Sequence, residues 1–90
     1  MLEFEFDPTK SLANMMKHGM DFVQAQELWL DERMVEIPAR TEDEPRRLVI
    51  GRIDDRHWAA VITRRGDRIR IISVRRARPE EVAIHEGQGI

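Results

Sequence analysis

The stretch that decides the fold is residues 47–75, RLVIGRIDDRHWAAVITRRGDRIRIISVR. Three runs rich in apolar and β-branched residues alternate with two short polar segments, Asp54-Asp55 and Arg65-Gly66-Asp67, which favour turns. Because such short connections join antiparallel neighbours, the stretch predicts a meander of hairpins. The predicted strands are Arg47–Ile53, His57–Arg64 and Arg68–Arg75.

The N-terminal segment predicts a short strand followed by a helix. Residues 2–7 alternate apolar and acidic side chains, which is the period of a strand with one buried face. Asp7 is suited to cap a helix that begins at Pro8 and runs to about His18, with Gly19 just beyond its end. The residues expected on the inward face of this helix are Leu12, Ala13, Met15 and Met16.

Two further helices and one further strand are predicted outside these segments. Asp21 and Gln24 have the spacing of a capping box, which opens a second helix that ends near Asp31. Residues 34–37 predict a brief strand before a proline. A proline at the first position opens a final helix over residues 79–86, with acidic residues in its first turn.

The order of these elements predicts an α+β domain. Two N-terminal helices are expected to pack on a mostly antiparallel sheet, with a short helix at the C-terminus. A chain of 90 residues supplies one modest hydrophobic core, so we expect residues 1–90 to form a single domain. Residues 87–90 are expected to fray.

The formal net charge of -2 conceals a segregation of charge along the chain. Residues 1–45 carry four basic and eleven acidic groups, a net charge of -7, and residues 79–90 carry three acidic groups. Residues 46–78 carry eleven arginines and three aspartates, a net charge of +8. Guanidinium groups make forked contacts with phosphate, so this block favours a polyanionic partner. The alternative is that the arginines are solvated or pair with the acidic segments.

Several classes of function are disfavoured by what the sequence lacks. There is no cysteine, which excludes disulfides and thiolate metal sites. His18, His57 and His85 show no metal-ligand spacing, so neither a metal nor a cofactor is expected. No segment approaches the roughly 18 consecutive apolar residues of a membrane span, and the acidic N-terminus is unlike a signal peptide. We therefore expect a cytoplasmic protein without membrane contact.

Four short motifs in sequence order carry a family resemblance. They are Phe4-Glu5-Phe6-Asp7-Pro8-x-Lys10, Asn14-x-x-Lys17-His18-Gly19-x-x-Phe22, Arg46-x-x-x-Ile50-Gly51 and Arg70-Ile71-Ile72-Ser73-x-Arg75-Arg76-Ala77, the last followed by Glu81. In this order and at this spacing they resemble the BrnT family of toxins, over nearly the whole chain.

The resemblance implies a fold, an activity and a partner. BrnT proteins have a RelE-like fold and act as metal-independent endoribonucleases that block translation, without a cofactor. They are the toxins of type II toxin–antitoxin operons. Their antitoxin, BrnA, has a DNA-binding domain of the ribbon-helix-helix type, and the complex of the two represses its own operator. RNA as a polyanionic substrate fits the basic block.

The resemblance also implies a set of arginines for the active site. Arg46, Arg65, Arg70 and Arg75 lie where the family places its arginines, and guanidinium groups suit the stabilisation of a charged phosphorane. Strict alternation along the last strand places Arg70 on the face opposite Ser73 and Arg75. A single phosphate can therefore reach both arginines only if a bulge intervenes.

Proton transfer during RNA cleavage requires titratable groups in addition to the arginines. His18 and Lys17 are candidates, although both lie at a helix end where cations also favour the dipole. His85 occupies the position where the family carries a tyrosine, and it can protonate the leaving group. Glu81 matches the family's acidic position in the final helix and can orient an arginine or a histidine. Further candidates for phosphate binding are Ser73 and Arg76.

Two other functions stay open at this point. A catalytically degenerate toxin homologue would still bind the antitoxin and act as a co-repressor, a reading that the replacement of the tyrosine by His85 supports. A general RNA-binding domain is the weaker alternative, because the chain lacks the surface aromatics of a base-stacking platform. Expression that does not arrest growth, together with retained binding of the antitoxin, would favour the co-repressor.

Overall fold

The computed structural model describes residues 2–39 and 45–87. In these two ranges it contains five strands, two α-helices and one 3₁₀ helix. The strands are β1 (Glu3–Glu5), β2 (Val35–Pro38), β3 (Arg47–Ile53), β4 (Arg56–Arg65) and β5 (Arg68–Arg76). The α-helices are α1 (Pro8–His18) and α2 (Pro79–Glu86), and the 3₁₀ helix spans Gln24–Leu30.

The five strands form one sheet in the order β1-β5-β4-β3-β2. Neighbours among β2 to β5 are antiparallel, as the meander predicts, whereas β1 lies parallel to β5 at the edge. Asp54 and Gly66 begin the two hairpin turns with φ of 57° and 60°, values that aspartate and glycine tolerate. The α+β class and the meander are confirmed, and the RelE-like fold stays a prediction.

Both ends of α1 lie where the sequence predicts them. Asp7 Oδ1 accepts hydrogen bonds from the backbone N–H groups of Thr9 at 2.8 Å and Lys10 at 3.4 Å. Gly19 ends the helix with a φ of 79°, in the left-handed region that favours glycine. These caps depend on neighbouring residues alone, which is why the sequence reveals them.

The predicted inward face of α1 is wrong. Leu12, Met15 and Met16 are 64%, 42% and 82% exposed, and Ala13 is exposed as well. The buried residues of the helix are instead polar, Ser11 and Asn14.

The polar face of α1 turns inward because it completes an edge of the sheet. β1 pairs only with the first three residues of β5, so the backbone of Val74 lies beyond its end. Asn14 Oδ1 accepts the Val74 N–H at 3.2 Å, and Asn14 Nδ2 donates to the Val74 carbonyl at 2.8 Å. Ser11 Oγ accepts the Phe22 N–H at 2.9 Å. Buried backbone groups require polar partners, and this requirement overrides the apolar pattern.

The second predicted helix is a 3₁₀ helix and not an α-helix. The two hydrogen bonds of the predicted capping box form, since the Gln24 N–H donates to Asp21 Oδ1 at 2.7 Å and the Asp21 N–H donates to Gln24 Oε1 at 3.2 Å. They close the turn before the helix, whose N-cap is Val23. A Cβ atom on Gly51 of β3 would lie 3.1 Å from Leu28 Cδ2. Glycine at this position therefore lets the 3₁₀ helix lie close to the sheet.

The main hydrophobic core lies between one sheet face and the layer that contains the 3₁₀ helix. The layer contributes Met20, Phe22, Ala25 and Leu28, and the sheet contributes Val49, Trp58, Ala60, Ile62, Ile69, Ile71 and Val74. On the other sheet face, Ile50 and Ala59 are 0% and 1% exposed. Helix α2 is fixed to that face, because its Glu81 bonds Arg75, the cross-strand neighbour of Ala59.

The final helix is confirmed over Pro79–Glu86. The predicted fraying tail, residues 87–90, lies outside the described residues except for Gly87, whose N–H donates to the Ala83 carbonyl at 2.8 Å. Within the described ranges, no helix has both the length and the apolar character that a membrane span requires.

Candidate active site

The sheet face opposite the main core carries a row of polar and basic side chains. Alternate residues of β4 point to one face, and residues that pair across strands share that face. The pairs are Ala59 with Arg75, Val61 with Ser73, Thr63 with Arg70, and Arg65 with Arg68. The polar members of this set, which we name the arginine face, are Thr63, Arg65, Arg68, Arg70, Ser73 and Arg75.

A β-bulge brings Arg70 and Arg75 to the same face. The register of β4 and β5 shifts between Val61 and Ile62, so that Ile72 has no cross-strand partner. One extra residue reverses the alternation of the side chains that follow it. The expectation that Arg70 lies opposite Ser73 and Arg75 is therefore wrong, and all three side chains share the arginine face.

Arg75 is held in a fixed orientation by α2. Arg75 Nη1 lies 2.7 Å from Glu81 Oε1, and Arg75 Nη2 lies 2.9 Å from Glu81 Oε2. The guanidinium group of Arg75 lowers the pKa of Glu81, aided by the backbone N–H of Arg78, and the carboxylate raises the pKa of Arg75 in return. A two-point contact fixes both the position and the plane of the guanidinium group.

Among the described residues, Arg70 is bonded through one nitrogen, Nη1. Its Nη1 donates to Glu5 Oε2 at 2.8 Å, and both side chains are about a quarter exposed, 29% and 25%. Glu5 belongs to β1, so the parallel pairing of β1 with β5 brings this carboxylate beside the arginine. A guanidinium group has five N–H donors, which leaves four on Arg70 for other acceptors.

The other predicted arginines lie at three different places. Arg46 is half-buried one residue before β3, and extending the register of β3 by one residue brings it opposite Thr63. Arg65 is exposed at the end of β4, on the arginine face. Arg76 lies on the core face, where its guanidinium carbon is 5.6 Å from the centre of the Trp58 ring.

His18 and Lys17 end α1, a helix that is fixed to the edge of β5 through Asn14. Lys17 is exposed and His18 is half-buried. Within residues 2–39 and 45–87, neither side chain forms a hydrogen bond or an ion pair with the arginine face. The structure therefore does not join these two candidates to the arginines.

His85 belongs to the last turn of α2 and is buried, with 1% of its surface exposed. Its Nε2 lies 2.8 Å from Asp31 Oδ2, and its Nδ1 lies 2.9 Å from Glu86 Oε2. His57, on β4, lies 3.0 Å from the same Glu86 oxygen through Nε2. Because the His85 ring is buried and both of its nitrogens contact carboxylates, the geometry favours a structural role over contact with substrate.

A shallow cleft of about 260 Å³ opens beside Thr63. It is lined by Pro45, Arg47, Thr63 and Arg64. Arg64 binds Glu36 through Nη1 at 2.7 Å and Nη2 at 2.9 Å, and Arg47 Nε lies 3.1 Å from the same carboxylate. Both guanidinium groups of the cleft are thus directed toward Glu36, and Arg64 is the main cause of the lowered pKa of Glu36.

Sequence reasoning missed three residues of this region, namely Glu5, Thr63 and Asp31. Glu5 and Thr63 flank Arg70 on neighbouring strands, and only the pairing of β1, β4 and β5 reveals this. Asp31 follows the 3₁₀ helix and accepts the backbone N–H groups of Arg33 and Arg52 at 2.9 and 2.8 Å. No local pattern in the sequence indicates these contacts.

Comparison with models of known protein families assigns the chain to one family. Residues 6–81 match a family model described as the ribonuclease toxin, BrnT, of type II toxin–antitoxin systems. A search of curated proteins gives no match. The matched span contains α1, the meander of β3 to β5 and the Arg75–Glu81 pair. The chain therefore belongs to the BrnT family of ribonuclease toxins of type II toxin–antitoxin systems.

Proposed function

We propose that this toxin is a metal-independent endoribonuclease that blocks translation and binds its RNA substrate on the arginine face. The observation that supports this most is the bulge at Ile72, because it places Arg70, Ser73 and Arg75 on one face of β5. Phosphate groups dominate the affinity of proteins for RNA, and a row of guanidinium and hydroxyl groups suits that backbone.

The donors that the arginine face offers match the needs of a phosphorane. Within the part of the chain that the structure describes, Arg75 engages three of its five N–H groups with Glu81 and the Arg76 carbonyl, which leaves two for phosphate oxygens. Arg70 and the Ser73 hydroxyl supply further donors on the same face. Donors that are oriented before the reaction stabilise developing charge without reorganisation, and Glu81 would supply this orientation for Arg75.

Proton transfer is the second part of the proposed mechanism. Attack by the 2′-OH requires a base, and departure of the 5′-oxygen requires an acid. His18 and Lys17 stay our candidates for these tasks, and Arg46 and Arg65 stay candidates for backbone contacts at the rim. We assign His85 a positioning role, because its ring is buried and contacts Asp31 and Glu86.

Cleavage of RNA in EDTA tests this proposal. Purified protein incubated with single-stranded RNA should give internal fragments that end in 2′,3′-cyclic phosphate or 3′-phosphate. These ends are the chemical signature of attack by the 2′-OH. Intact RNA beside an active control nuclease, or cleavage that depends on added magnesium, would contradict the proposed chemistry.

We further propose that a BrnA-type antitoxin docks on the outer surface of α1, defined by Leu12, Met15 and Met16. Family membership implies an antitoxin, and these side chains are 64%, 42% and 82% exposed. A concentration of exposed apolar side chains marks an interaction surface. Lys10 and Lys17 are exposed on the same helix, so the surface suits an amphipathic helix with acidic flanks.

Substitution on α1 tests the docking surface. Met16→Glu should weaken binding of the proposed BrnA-type antitoxin at least tenfold. Leu30→Glu is the matched control, because Leu30 is 80% exposed but belongs to the 3₁₀ helix and not to α1. Equal losses in both variants, or no loss in Met16→Glu, would contradict docking on α1.

Binding to operator DNA should require the toxin–antitoxin complex and not the toxin alone.

A second function is supported by one specific observation. Among the described residues, no exposed histidine lies on the arginine face, and His57 there is half-buried against Glu86. A toxin homologue without catalysis would act only as an antitoxin-binding co-repressor. Harmless expression, intact RNA and retained antitoxin binding would together favour this function over the nuclease.

A further inference from the structure

Three side chains that are suited to bind a metal ion meet between β4 and α2. His57 Nε2, His85 Nδ1 and a carboxylate oxygen of Glu86 lie within 4.8 Å of one another. Glu86 Oε2 is 3.0 Å from His57 Nε2 and 2.9 Å from His85 Nδ1. His57 belongs to β4 and the other two residues end α2, so the cluster joins this helix to the sheet.

Asp31 fixes the orientation of the His85 ring within this cluster. Its Oδ2 atom lies 2.8 Å from His85 Nε2. Asp31 also accepts the backbone N–H of Arg33 through Oδ1 at 2.9 Å and that of Arg52 through Oδ2 at 2.8 Å. Asp31 therefore stays an acceptor, which places an N–H on Nε2 of His85. His85 Nδ1 is then the ring nitrogen that faces Glu86, at 2.9 Å.

The contact of Glu86 Oε2 with His85 Nδ1 needs either a proton, as in a hydrogen bond, or a metal ion between the two atoms. The same holds for His57 Nε2, which lies 3.0 Å from the same Glu86 oxygen. A proton satisfies one such contact at a time, whereas one divalent ion satisfies all three groups at once. A carboxylate bound to the far nitrogen of a ligating histidine is also the usual outer support of a metal site.

We propose that His57, His85 and Glu86 bind one zinc ion, with Asp31 as a positioning residue. Two imidazoles and one carboxylate form a ligand set that zinc uses, with water at the fourth position. Bonds of about 2.0–2.1 Å place tetrahedral ligands about 3.3 Å apart, near the observed 2.9 and 3.0 Å separations from Glu86. The two histidine nitrogens lie within 4.8 Å of each other, so the two rings would move closer together when the ion binds. The Glu86 side chain is 52% exposed, which gives the ion a path from solvent.

The zinc ion would act on the structure and not on RNA cleavage. It would tie the last turn of α2 to β4, and α2 also carries Glu81, the partner of Arg75. The inference is therefore independent of the proposed nuclease activity, which is expected to persist in EDTA. Failure of one proposal leaves the other standing.

Calorimetric titration of the EDTA-treated, dialysed full chain with zinc chloride tests the site. The wild type should bind one equivalent, gain thermal stability and give the visible spectrum of tetrahedral cobalt when Co²⁺ replaces zinc. His57→Ala should weaken zinc binding at least about 100-fold, and Asp31→Asn about 10- to 100-fold. His18→Ala is the matched control, because His18 lies outside the cluster and should leave zinc affinity unchanged.

Three results would overturn the zinc site. They are no saturable binding of zinc, equal affinity in the wild type and His57→Ala, and loss of affinity in His18→Ala. If His57→Ala fails to fold, Glu86→Gln replaces it, since this exposed side chain carries little of the packing. Glu86→Gln should also lose the cobalt spectrum, and retention of that spectrum would count against the proposal.

Discussion

Arg75 and Glu81 form a two-point ion pair that joins β5 to α2, with nitrogen–oxygen distances of 2.7 and 2.9 Å. The Glu81 side chain is 9% exposed and that of Arg75 is 27% exposed. Glu81 Oε1 also accepts the Arg78 N–H at 2.8 Å, so one carboxylate caps the helix and orients the arginine. Helix formation and the geometry of the arginine face are thereby coupled.

Loss of the Glu81 charge is the first prediction. Glu81→Gln should lower the free energy of unfolding by about 1–3 kcal/mol, because Arg75 loses its charged partner in a largely buried position. Urea unfolding at neutral pH measures this change. Glu80→Gln is the matched control, since Glu80 is exposed in the same first turn and should change stability by less than about 0.5 kcal/mol. Equal changes in the two variants would show that the Arg75–Glu81 ion pair does not contribute to the free energy of unfolding.

The second prediction concerns pH. Hydrogen bonding to Arg75 lowers the pKa of Glu81 in the folded state. A carboxyl group with a lowered pKa stabilises the fold above its unfolded pKa of about 4.3, and this contribution is lost as the pH falls through the lowered value.

The stability difference between the wild type and Glu81→Gln isolates this contribution. It should be constant between about pH 7 and 5 and should shrink below about pH 4. Unfolding curves in urea across this range provide the measurement. A difference that grows on acidification has the wrong sign for a lowered pKa.

The third prediction concerns the edge of β5. Asn14→Ala leaves the Val74 N–H and carbonyl without their side-chain partner, together with the Met20 carbonyl that Asn14 Nδ2 also bonds at 2.7 Å. Buried polar groups that lose their partners cost about 1–3 kcal/mol each, so we expect a loss of at least about 2 kcal/mol. Ala13→Ser, at an exposed neighbouring position, is the control for thermal unfolding. A loss below about 0.5 kcal/mol would show that water replaces the amide.

Local signals in the sequence predicted the elements well. The cap at Asp7, the glycine at position 19 and the Asp21–Gln24 capping box involve residues a few positions apart, and each forms as expected. Short polar turns likewise fixed the meander of β3 to β5. These features depend on neighbouring residues, so composition and spacing contain the information.

Features that depend on residues far apart in the sequence could not be predicted from it. The inward face of α1 is set by the backbone of Val74, and Asn14 is the residue that meets it. The bulge at Ile72 is not visible in a pattern of alternation, yet it decides which arginines share a face. His57 and His85 show no ligand spacing, and only the packing of α2 on β4 brings them together.

The proposed function depends above all on contact of Arg70 and Arg75 with RNA from one face of the sheet. Two measurements test this most directly, namely the rate of single-turnover cleavage and the affinity for RNA at several salt concentrations. Arg70→Ala and Arg75→Ala should each lower the cleavage rate by about 100-fold or more and reduce the salt slope of binding by about 0.7.

Arg56→Ala is the matched control in this measurement, because Arg56 is exposed at the start of β4 and points to the core face. Unfolding curves should show that every variant is folded, with Arg70→Lys as a milder substitute. The predicted result is loss in Arg70→Ala and Arg75→Ala with wild-type behaviour in Arg56→Ala. Wild-type cleavage and an unchanged salt slope in both face variants, or equal losses in all three, would contradict the claim.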